Sequence, residues 1–286
     1  MPSLSVVIPA KNESAALGEL LARLRAAAPE ADIVVVDDGS TDDTPVVAAA
    51  AGARVVRHRY SMGNGAAIKS GARAAGGEVL VFMDADGQHP PEAIPRLLGR
   101  LAEGFDMVVG ARDRSGQASA GRSLANGFYN RLASWMVEHR IADLTSGFRA
   151  VRASKFREFL HLLPNGFSYP TTITMAFFRS AYAVDYVPVD VAQRIGKSHI
   201  RPLRDGVRFV IIILRIATLY APLKLFLPVS AGFAALGLAN YAYTFAVQGR
   251  FTNMSALLLS AAVIVFLIGL ISDQITSLTY ARTRDG

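Results

Sequence analysis

Residues 79–86 of the chain read Val79-Leu80-Val81-Phe82-Met83-Asp84-Ala85-Asp86, an apolar run that ends in two aspartates. Such a run predicts a buried β-strand, with the aspartates at its carboxyl end. Two carboxylates in this position can direct oxygen atoms at one hard cation, Mg²⁺ or Mn²⁺, and Gln88 adds a carbonyl oxygen. We therefore predict a divalent metal site at Asp84, Asp86 and Gln88, with His89 a neighbour rather than a ligand. An Asp-x-Asp pair alone is a weak signal, since exposed turns often contain one.

The surrounding sequence alternates short β-branched segments with helical patterns. We predict strands at residues 4–9, 32–37, 54–58, 79–83 and 107–110, and helices at residues 14–28, 44–51, 66–75 and 91–102. Runs such as Ile33-Val34-Val35-Val36 are apolar throughout, which is typical of strands buried on both faces. The pattern predicts an α/β domain with a parallel sheet.

Polar segments also follow the first two predicted strands. They read Pro9-Ala10-Lys11-Asn12-Glu13 and Asp37-Asp38-Gly39-Ser40-Thr41-Asp42. Parallel strands end at one edge of their sheet, where α/β proteins bind ligands, and aspartates there can bind the base or ribose hydroxyls of a nucleotide. The second segment also suits a helix-start turn with Ser40 or Asp42 as N-cap, and the two interpretations are compatible.

A glycine-containing segment at residues 63–68 superficially suggests a dinucleotide site. It lacks the third glycine of that fingerprint and does not follow the first strand. We interpret it as a loop that opens a helix, and we discount NAD as a ligand.

Composition limits the classes of protein that fit. The 286 residues suit one medium-sized catalytic domain plus a smaller part. The chain has no cysteine, which excludes disulfides and thiolate metal sites and is compatible with a reducing compartment. No basic residue precedes the short apolar segment 4–8, so no signal peptide is predicted. The net charge of +7 fits nucleic acid, an anionic membrane surface or a phosphate ligand, and the position of the charges has to decide.

The C-terminal part is more apolar than the rest. Residues 225–247 carry no charge, residues 256–272 form a second apolar stretch, and residues 248–255 separate them. Each stretch is about long enough to cross ~30 Å of hydrocarbon as a helix, so we predict a two-helix transmembrane hairpin within residues 225–286. The alternative is a pair of buried helices in a soluble protein.

A basic segment precedes this hairpin. On a helix at 100° per residue, one narrow stripe holds Arg201, Arg204, Arg208 and Arg215. For residues 200–224 this predicts an amphipathic helix in the membrane interface, with its arginines toward lipid phosphates. The alternative is the charged edge of a core helix.

A second amphipathic segment spans residues 119–139. One face of it holds Leu124, Phe128, Leu132 and Trp135, with Met136 beside them. This face either packs on the core or faces a membrane or lipid acceptor, and both interpretations stay open.

Four motifs, in order, resemble glycosyltransferase family 2. They are residues 6–13 (Val-Val-Ile-Pro-Ala-Lys-Asn-Glu), residues 37–42, residues 84–88 (Asp-Ala-Asp-Gly-Gln) and Ser146-Gly147-Phe148-Arg149. The similarity covers residues 3–205 and is greatest to the branch of dolichol-phosphate mannose synthases and polyprenyl-phosphate glucosyltransferases. It implies a GT-A fold for residues 1–199 and transfer with inversion at the anomeric carbon.

The resemblance also implies roles for individual residues. The donor nucleotide would contact Pro9, Ala10, Asn12, Glu13, Val36, Asp38 and Asp84. Asp84, Asp86 and Gln88 would hold the Mg²⁺ or Mn²⁺ ion. Arg194 and Lys197 match a closing loop that covers the donor diphosphate as charge develops on the leaving group. Relatives often have lysine where His199 stands, which leaves open which cation acts.

The acceptor in that branch is a lipid phosphate. Arg112 and Arg122 match its phosphate-binding arginines, whose planar forks suit phosphate oxygens; the alternative is two solvated arginines. Asp143 stands near the place of the general base in relatives with hydroxyl acceptors. A phosphate is already an anion near pH 7, so we expect Asp143 to position groups rather than take a proton.

These features predict a hexosyltransferase that uses a GDP-mannose or UDP-glucose type donor and a polyprenyl phosphate. The alternatives are another membrane-associated glycan or lipid acceptor, or a non-catalytic membrane scaffold. A polysaccharide synthase of the family would carry Gln-x-x-Arg-Trp after its core, which the position of the only tryptophan, Trp135, excludes. Nucleic acid is disfavoured because the basic residues adjoin apolar segments rather than aromatic stacking surfaces.

Charge placement predicts the topology. Five basic residues precede the first span and two follow the second, namely Arg201, Arg204, Arg208, Arg215, Lys224, Arg282 and Arg284, whereas residues 248–255 hold only Arg250. Positive residues in short flanking segments favour the cytoplasmic side. We therefore expect the catalytic domain and both termini in the cytoplasm.

Overall fold

The computed structural model describes residues 2–112, 120–166, 169–190 and 218–281, with the backbone alone at 120–126, 128–129 and 280–281. The chain divides into two compact units, Met1–Ile200 and Arg201–Gly286. The first unit contains a sheet covered by helices, and the second contains a helical hairpin.

Seven strands form the sheet of the first unit. They are β1 (Leu4–Ala10), β2 (Asp32–Asp37), β3 (Arg54–Arg57), β4 (Val79–Phe82), β5 (Met107–Arg112), β6 (Arg149–Arg152) and β7 (Val184–Val189). Their order across the sheet is β3-β2-β1-β4-β6-β5-β7. The five predicted strands are all present, with ends that differ by at most two residues.

The helices of this unit connect the strands. They are α1 (Ser14–Ala27), α2 (Thr44–Ala50), α3 (Asn64–Ala74), α4 (Ile94–Ala102), α5 (Ala120–Val137), α6 (Ala153–Glu158) and α7 (Tyr169–Arg179). A short 3₁₀ turn at Pro91–Ala93 forms the start of the helix predicted at residues 91–102. Four elements, β6, α6, α7 and β7, are not predicted by the sequence pattern.

The prediction of a parallel sheet is wrong at one strand. β1 pairs in parallel with β2 and β4, but β6 runs antiparallel to both of its neighbours, β4 and β5. No strand is predicted at β6 because arginines stand at both of its ends and only Ala150 and Val151 lie between them. Its direction matters for the site, since Arg149 pairs with Phe82 and the segment before β6 therefore lies where β4 ends.

Helices cover both faces of the sheet, which explains why central strands such as β4 are apolar throughout. Leu17 and Leu21 of α1 and Leu97 of α4 are fully buried in the core. In helix α3, a Cβ at Gly71 would lie 2.2 Å from Val7 Cγ1, so α3 packs closely on the sheet. Burying each large aliphatic side chain contributes about 1.5–3 kcal/mol.

The described end of helix α5 tests the core-facing interpretation of the segment 119–139. Met136 and Ala133 are buried, but Trp135 is 50% exposed. The core-facing interpretation is therefore wrong for Trp135, and the side chains of Leu124 and Phe128 in the predicted stripe lie outside the described residues. The adjacent Met136 supplies the apolar contact instead.

The second unit is a hairpin of α8 (Pro222–Gln248) and α9 (Asn253–Ala281). Both predicted spans lie inside these helices, but α9 continues past Asp273, where the predicted span ended. Each helix contains a segment of 27 residues that is long and apolar enough to cross a membrane. Such a segment is ~40 Å long as a helix. The predicted interfacial segment 200–224 lies mostly outside the described residues, and its last three residues form the first turn of α8.

Polar and small residues of the hairpin face inward. Ser230 Oγ donates a hydrogen bond to Ala262 O at 2.8 Å, and Asn240 Nδ2 donates to Ser255 Oγ at 2.9 Å. Apolar side chains such as Leu236 and Leu257 are exposed. This arrangement suits a hydrocarbon solvent and not water.

Candidate functional site

The register of the sheet brings three polar segments to one edge. Ala10 pairs with Asp37, and Val7 pairs with Phe82, so β1, β2 and β4 end side by side. Residues 10–13, 37–42 and 84–88 follow these three ends. The predicted nucleotide and metal residues therefore share one edge of the sheet.

The first two of these segments are joined by hydrogen bonds. Asn12 N donates to Ser40 Oγ at 3.0 Å, and Thr41 N donates to Asn12 Oδ1 at 2.8 Å. Glu13 N donates to Thr44 Oγ1 at 2.9 Å. Asn12 has a positive φ of 55°, a conformation that asparagine tolerates better than most residues. The N-cap of α2 is Asp43, not Ser40 or Asp42, although Asp42 Oδ1 accepts a hydrogen bond from Thr44 N at 3.1 Å.

Two predicted nucleotide contacts are scaffold positions. The side chains of Ala10 and Val36 are buried, and Val36 packs against α3 beside Gly71. Ala10 O already accepts a hydrogen bond from Asp38 N at 2.9 Å. Pro9 lies next to them and is partly exposed.

Asp38 lies in a cage of four donors. Its Oδ1 accepts from His58 Nδ1 at 2.7 Å and Met62 N at 2.8 Å, and its Oδ2 accepts from Ser61 Oγ at 2.7 Å and Gly63 N at 2.9 Å. A carboxylate has about four acceptor positions, so protein donors fill all of them. The carboxylate thus fixes the loop between β3 and α3. His58 extends the network, because its Nε2 lies 2.8 Å from Ser70 Oγ on α3.

The cage also keeps Asp38 ionised. Burial would raise the pKa of its carboxyl, but the His58, Met62, Ser61 and Gly63 donors outweigh it and set the pKa at about 2. An unfolded aspartate has a pKa of about 3.9. Asp38 therefore contributes stability that is complete above pH ~4 and is lost as the pH falls through about 2.

We expect Asp38→Asn to destabilise the catalytic unit by about 2–4 kcal/mol. The amide NH₂ group of the new side chain is a donor, and it would face two protein donors that need an acceptor. The urea midpoint should fall, trypsin should cleave faster after the exposed Arg59, and the acid dependence of unfolding should flatten. The matched control is Asp43→Asn, which alters an exposed N-cap residue that makes no side-chain cap hydrogen bond. Unchanged stability of Asp38→Asn would refute the structural role of the cage.

The Asp84–Asp86 segment forms a tight turn at the end of β4. Asp86 Oδ1 accepts a hydrogen bond from Gln88 N at 3.1 Å, and Gly87 between them has a φ of 71°. The Asp84 side chain is 38% exposed. Within the described part of the chain, no group of three acidic or histidine side chains forms a metal cluster.

The two carboxylates fit a hard divalent cation whose coordination shell substrate oxygens would complete. Partial burial raises the pKa of Asp84; the nearby Asp86 charge acts in the same direction, and His89 acts against them. A divalent cation would relieve this repulsion. Mg²⁺ is commonly held by one or two carboxylates together with phosphate oxygens, so the small ligand set is sufficient.

His89 contacts the backbone of this turn and the ring of Phe148. Asp84 N donates to His89 Nδ1 at 3.3 Å, and the His89 ring stacks on Phe148 with centroids 5.3 Å apart. Burial lowers the pKa of His89, which favours the neutral ring that this acceptor role needs.

The segment before β6 lies directly against Asp84. A Cβ at Gly147 would lie 3.0 Å from Asp84 Oδ2, tighter than ordinary contact. Glycine at this position lets the backbone approach the carboxylate. The Ser146–Arg149 motif therefore lies at the site because β6 runs antiparallel to β4.

Asp143, at the start of this segment, pairs with Arg112 at the end of β5. Arg112 Nε donates to Asp143 Oδ2 at 2.8 Å, and Arg112 Nη2 donates to Asp143 Oδ1 at 3.1 Å. Burial would raise the pKa of Asp143, but Arg112 and the backbone N–H of Thr145 outweigh it and the pKa lies below its ordinary value. Asp143 is therefore an anion that orients Arg112 and a weak base.

The remaining predicted site residues are only partly placed. Arg122 lies on α5, where the backbone alone is described. Arg194 and Lys197 lie outside the described residues. Sequence reasoning missed His58 and Tyr169; the only available signal for the first was a histidine at the end of the predicted strand 54–58.

Comparisons with known proteins assign the chain to a family. Residues 5–160 match the model of glycosyl transferase family 2, and residues 221–278 match that of the GtrB C-terminal hairpin. The chain belongs to glycosyl transferase family 2. The family resemblance seen in the four motifs is thereby confirmed, and the chain is a glycosyltransferase with a two-helix membrane hairpin.

Individual relatives support the same assignment. The chain is 33% identical over 210 residues to the dolichyl-phosphate hexose transferase of Haloferax volcanii, across 71% of this chain and 89% of that protein. It is 34% identical over 211 residues to the undecaprenyl-phosphate mannosyltransferase of Micrococcus luteus, across 67% of this chain and 85% of that protein.

A solved structure shares the fold. Glucosyl-3-phosphoglycerate synthase from Mycobacterium tuberculosis, in complex with Mn²⁺, UDP and phosphoglyceric acid, superposes with a TM-score of 0.60 and 25% identity. The similarity covers 75% of this chain and 77% of that chain. The GT-A fold predicted for the catalytic part is confirmed.

Proposed function

We propose that the protein moves one hexose from a nucleotide-sugar to a polyprenyl phosphate at the membrane surface, with inversion at the anomeric carbon. The observation that carries this proposal is the placement of Gly147 against Asp84, in the same segment whose Asp143 orients Arg112. An acidic pair that would face the donor diphosphate and an arginine that would face an acceptor phosphate are thus linked through one segment. The polyprenyl-phosphate substrates in the names of the two relatives support the choice of acceptor.

Asp84, Asp86 and Gln88 would hold Mg²⁺ or Mn²⁺. The ion would neutralise charge on the departing nucleotide diphosphate. The Mn²⁺ and UDP named for the mycobacterial structure support this assignment. Arg194 and Lys197 would add positive charge to the same diphosphate.

Arg112 would hold the acceptor phosphate, together with Arg122. Asp143 accepts from Nε and Nη2 of the Arg112 guanidinium, and Thr145 Oγ1 accepts a second bond from Nη2, so the Nη1 group would face the phosphate. A phosphate oxygen attacks the anomeric carbon as the bond to the diphosphate breaks. A phosphate monoester has a second pKa of ~6, so it attacks as an anion and needs no strong base. Asp143 would act as a positioning residue.

The nucleoside would lie over the β1 and β2 ends. Asn12 and Glu13 stand in the joined loops there, and Asp38 would act by holding the loop of residues 58–63. Pro9, Ala10 and Val36 would form the floor. The hexose is of the GDP-mannose or UDP-glucose type in this proposal.

A donor screen tests the function. Purified full-length protein, a short polyprenyl phosphate and Mn²⁺ are incubated with GDP-mannose, UDP-glucose and UDP-linked amino sugars, and lipid-linked sugar is measured. We expect one donor to give a polyprenyl-phosphate sugar. Donor hydrolysis without lipid product would favour a different membrane glycan or lipid acceptor, and the absence of both would favour the non-catalytic scaffold.

The topology is proposed from charge. The catalytic unit and both termini would be cytoplasmic, with the loop between α8 and α9 on the far side. Because the chain has no cysteine, Asn253→Cys, at an exposed position at the start of α9, introduces one reporter thiol. We expect an impermeant thiol reagent to label it in intact cells.

The control for this labelling is Glu30→Cys, at an exposed position of the catalytic unit. It should react only after lysis. Protection of Asn253→Cys until lysis would contradict a hairpin that crosses the bilayer.

A further inference from the structure

Arg149, the last residue of the Ser146–Arg149 motif, is a fully buried cation. Its Nη1 donates to Pro170 O and to Thr174 Oγ1, each at 3.2 Å, and its Nη2 donates to Ser146 O. Every acceptor that it reaches among the described residues is neutral. A buried charge is costly unless its hydrogen bonds are well placed, so these acceptors hold the guanidinium in one position.

Tyr169, at the start of helix α7, makes a second hydrogen bond that holds this segment; we call the Arg149 and Tyr169 bonds to it the two tethers. The Tyr169 side chain is buried, and its hydroxyl donates to Gly147 O at 3.1 Å. Its ring centroid lies 5.7 Å from Arg149 Cζ, within range of a cation–π contact. Burial raises the pKa of Tyr169, so the hydroxyl stays protonated and remains a donor.

The two tethers act on consecutive peptide groups. Arg149 holds the carbonyl of Ser146, and Tyr169 holds that of Gly147. On the opposite side, Ser146 Oγ donates to Gly110 O on β5 at 2.7 Å. The short segment is thereby fixed between α7 and the sheet.

This segment contacts both halves of the site. A Cβ at Gly147 would lie within 3.0–3.4 Å of the Asp84 carboxylate. Three residues before Ser146, Asp143 orients Arg112 through two hydrogen bonds. A shift of the Ser146 and Gly147 carbonyls would therefore move the surroundings of Asp84 and of Arg112 together.

We propose that Arg149 and Tyr169 are positioning residues that couple the metal-binding and acceptor-binding halves of the site by fixing the Ser146 and Gly147 carbonyls. This inference rests on the proposed function. Neither side chain touches the reacting atoms. Their effect passes through Asp84 and Arg112, as that of groups behind metal ligands commonly does.

Tyr169→Phe tests the coupling with the loss of one hydroxyl. The matched control is Tyr186→Phe, because the buried Tyr186 hydroxyl makes no hydrogen bond within the described residues. Mn²⁺ affinity of the full-length protein is measured by electron paramagnetic resonance of the free ion, alone and with UDP or GDP. The KM for polyprenyl phosphate, binding of the nucleotide in chelator and the unfolding midpoint are measured in parallel.

We expect Tyr169→Phe to weaken Mn²⁺ binding about tenfold and to raise the acceptor KM, with nucleotide binding in chelator and the unfolding midpoint near those of the parent. Tyr186→Phe should match the parent in all four. Arg149→Lys should show the Tyr169→Phe pattern more strongly, since one ammonium cannot reach the same set of acceptors.

Three results would overturn the proposal. If the Mn²⁺ affinity and the acceptor KM are unchanged in Tyr169→Phe, the metal assignment stands but the proposed coupling is wrong. Loss of all functions in proportion to stability would show a role in folding only. No Mn²⁺ binding by the parent protein would remove the metal assignment of the proposed function as well. Tyr169→Phe distinguishes these results even if Arg149→Lys fails to fold.

Discussion

Asp84→Asn and Asp86→Asn are each expected to abolish sugar transfer while leaving the fold intact. Each change keeps the size of the side chain but removes a negative oxygen ligand. The ion that the pair would hold contributes several kcal/mol of charge stabilisation, and each ~1.4 kcal/mol is a factor of ten in rate. We expect kcat to fall by roughly a thousandfold or more, as measured by lipid-linked sugar formed per enzyme.

The folded state of these variants should be normal or more stable. Asp84 is crowded by Asp86, and burial raises the pKa of its carboxyl, so loss of one charge relieves repulsion in the metal-free protein. The matched control is Glu30→Gln, which neutralises an exposed carboxylate just before β2, at the opposite end of that strand from the site. Near-normal transfer by either aspartate variant in the presence of a chelator would show that the metal assignment is wrong.

The part of the site that the sequence predicted well is local. Asp84 and Asp86 follow an apolar strand directly, and strand ends in α/β sheets meet at one edge. The same rule predicts that Asn12 and Asp38 lie at this edge. Patterns within ten residues of a strand end are enough to bring these groups together.

The pairings between distant segments could not be predicted. Arg112 and Asp143 are 31 residues apart, and their contact depends on the antiparallel strand β6. No apolar run marks that strand, so neither its direction nor the approach of Gly147 to Asp84 can be inferred from the sequence. Arg149 belongs to a recognisable motif, but its burial follows from packing alone.

Helix α7 shows how tertiary packing overrides local preference. It begins Tyr-Pro-Thr-Thr-Ile-Thr, a stretch rich in β-branched residues of low helix propensity. Thr171 and Thr174 are nonetheless buried within it, and Thr174 Oγ1 donates to Pro170 O at 2.8 Å. Burial between sheet and neighbours stabilises the helix, and that information is not local.

The membrane hairpin, unlike helix α7, could be predicted because its sequence signal is local. A span is defined by length and lack of charge, which are properties of a single segment. The predicted second span stops at residue 272, before Asp273, whereas the helix that contains it continues to Ala281. A charge near the end of a span marks the edge of the hydrocarbon and does not end the helix.

Arg112→Ala is expected to reduce kcat/KM for polyprenyl phosphate by about a hundredfold, a loss on the order of 3 kcal/mol for a charge-assisted contact to the phosphate. Donor affinity, measured by calorimetric titration of the nucleotide, should stay near that of the parent. The matched control is Arg23→Ala, which removes a similar bidentate pair with Glu92 from the exposed surface of α1. Equal losses of donor and acceptor affinity in Arg112→Ala would contradict an acceptor role.

The stability of the same variants separates structure from function. Removal of Arg112 leaves the Asp143 carboxylate buried without its bidentate partner, which should cost about 1–3 kcal/mol. Adding Asp143→Asn removes the orphaned charge and should restore part of this loss. Acceptor kinetics of the double variant can then be compared in a protein that is stably folded.

Asp143→Asn alone distinguishes orientation from proton transfer. If Asp143 only orients Arg112, its loss should lower kcat/KM for the acceptor about tenfold, and the double variant with Arg112→Ala should be no worse than Arg112→Ala alone, because both changes disrupt one contact. A general base would behave differently: kcat would fall steeply whether or not Arg112 is present, and the two effects would multiply. The pKa of Asp143 is held below its ordinary value by Arg112 and the Thr145 N–H, and a weak carboxylate base next to an already anionic phosphate favours the first outcome.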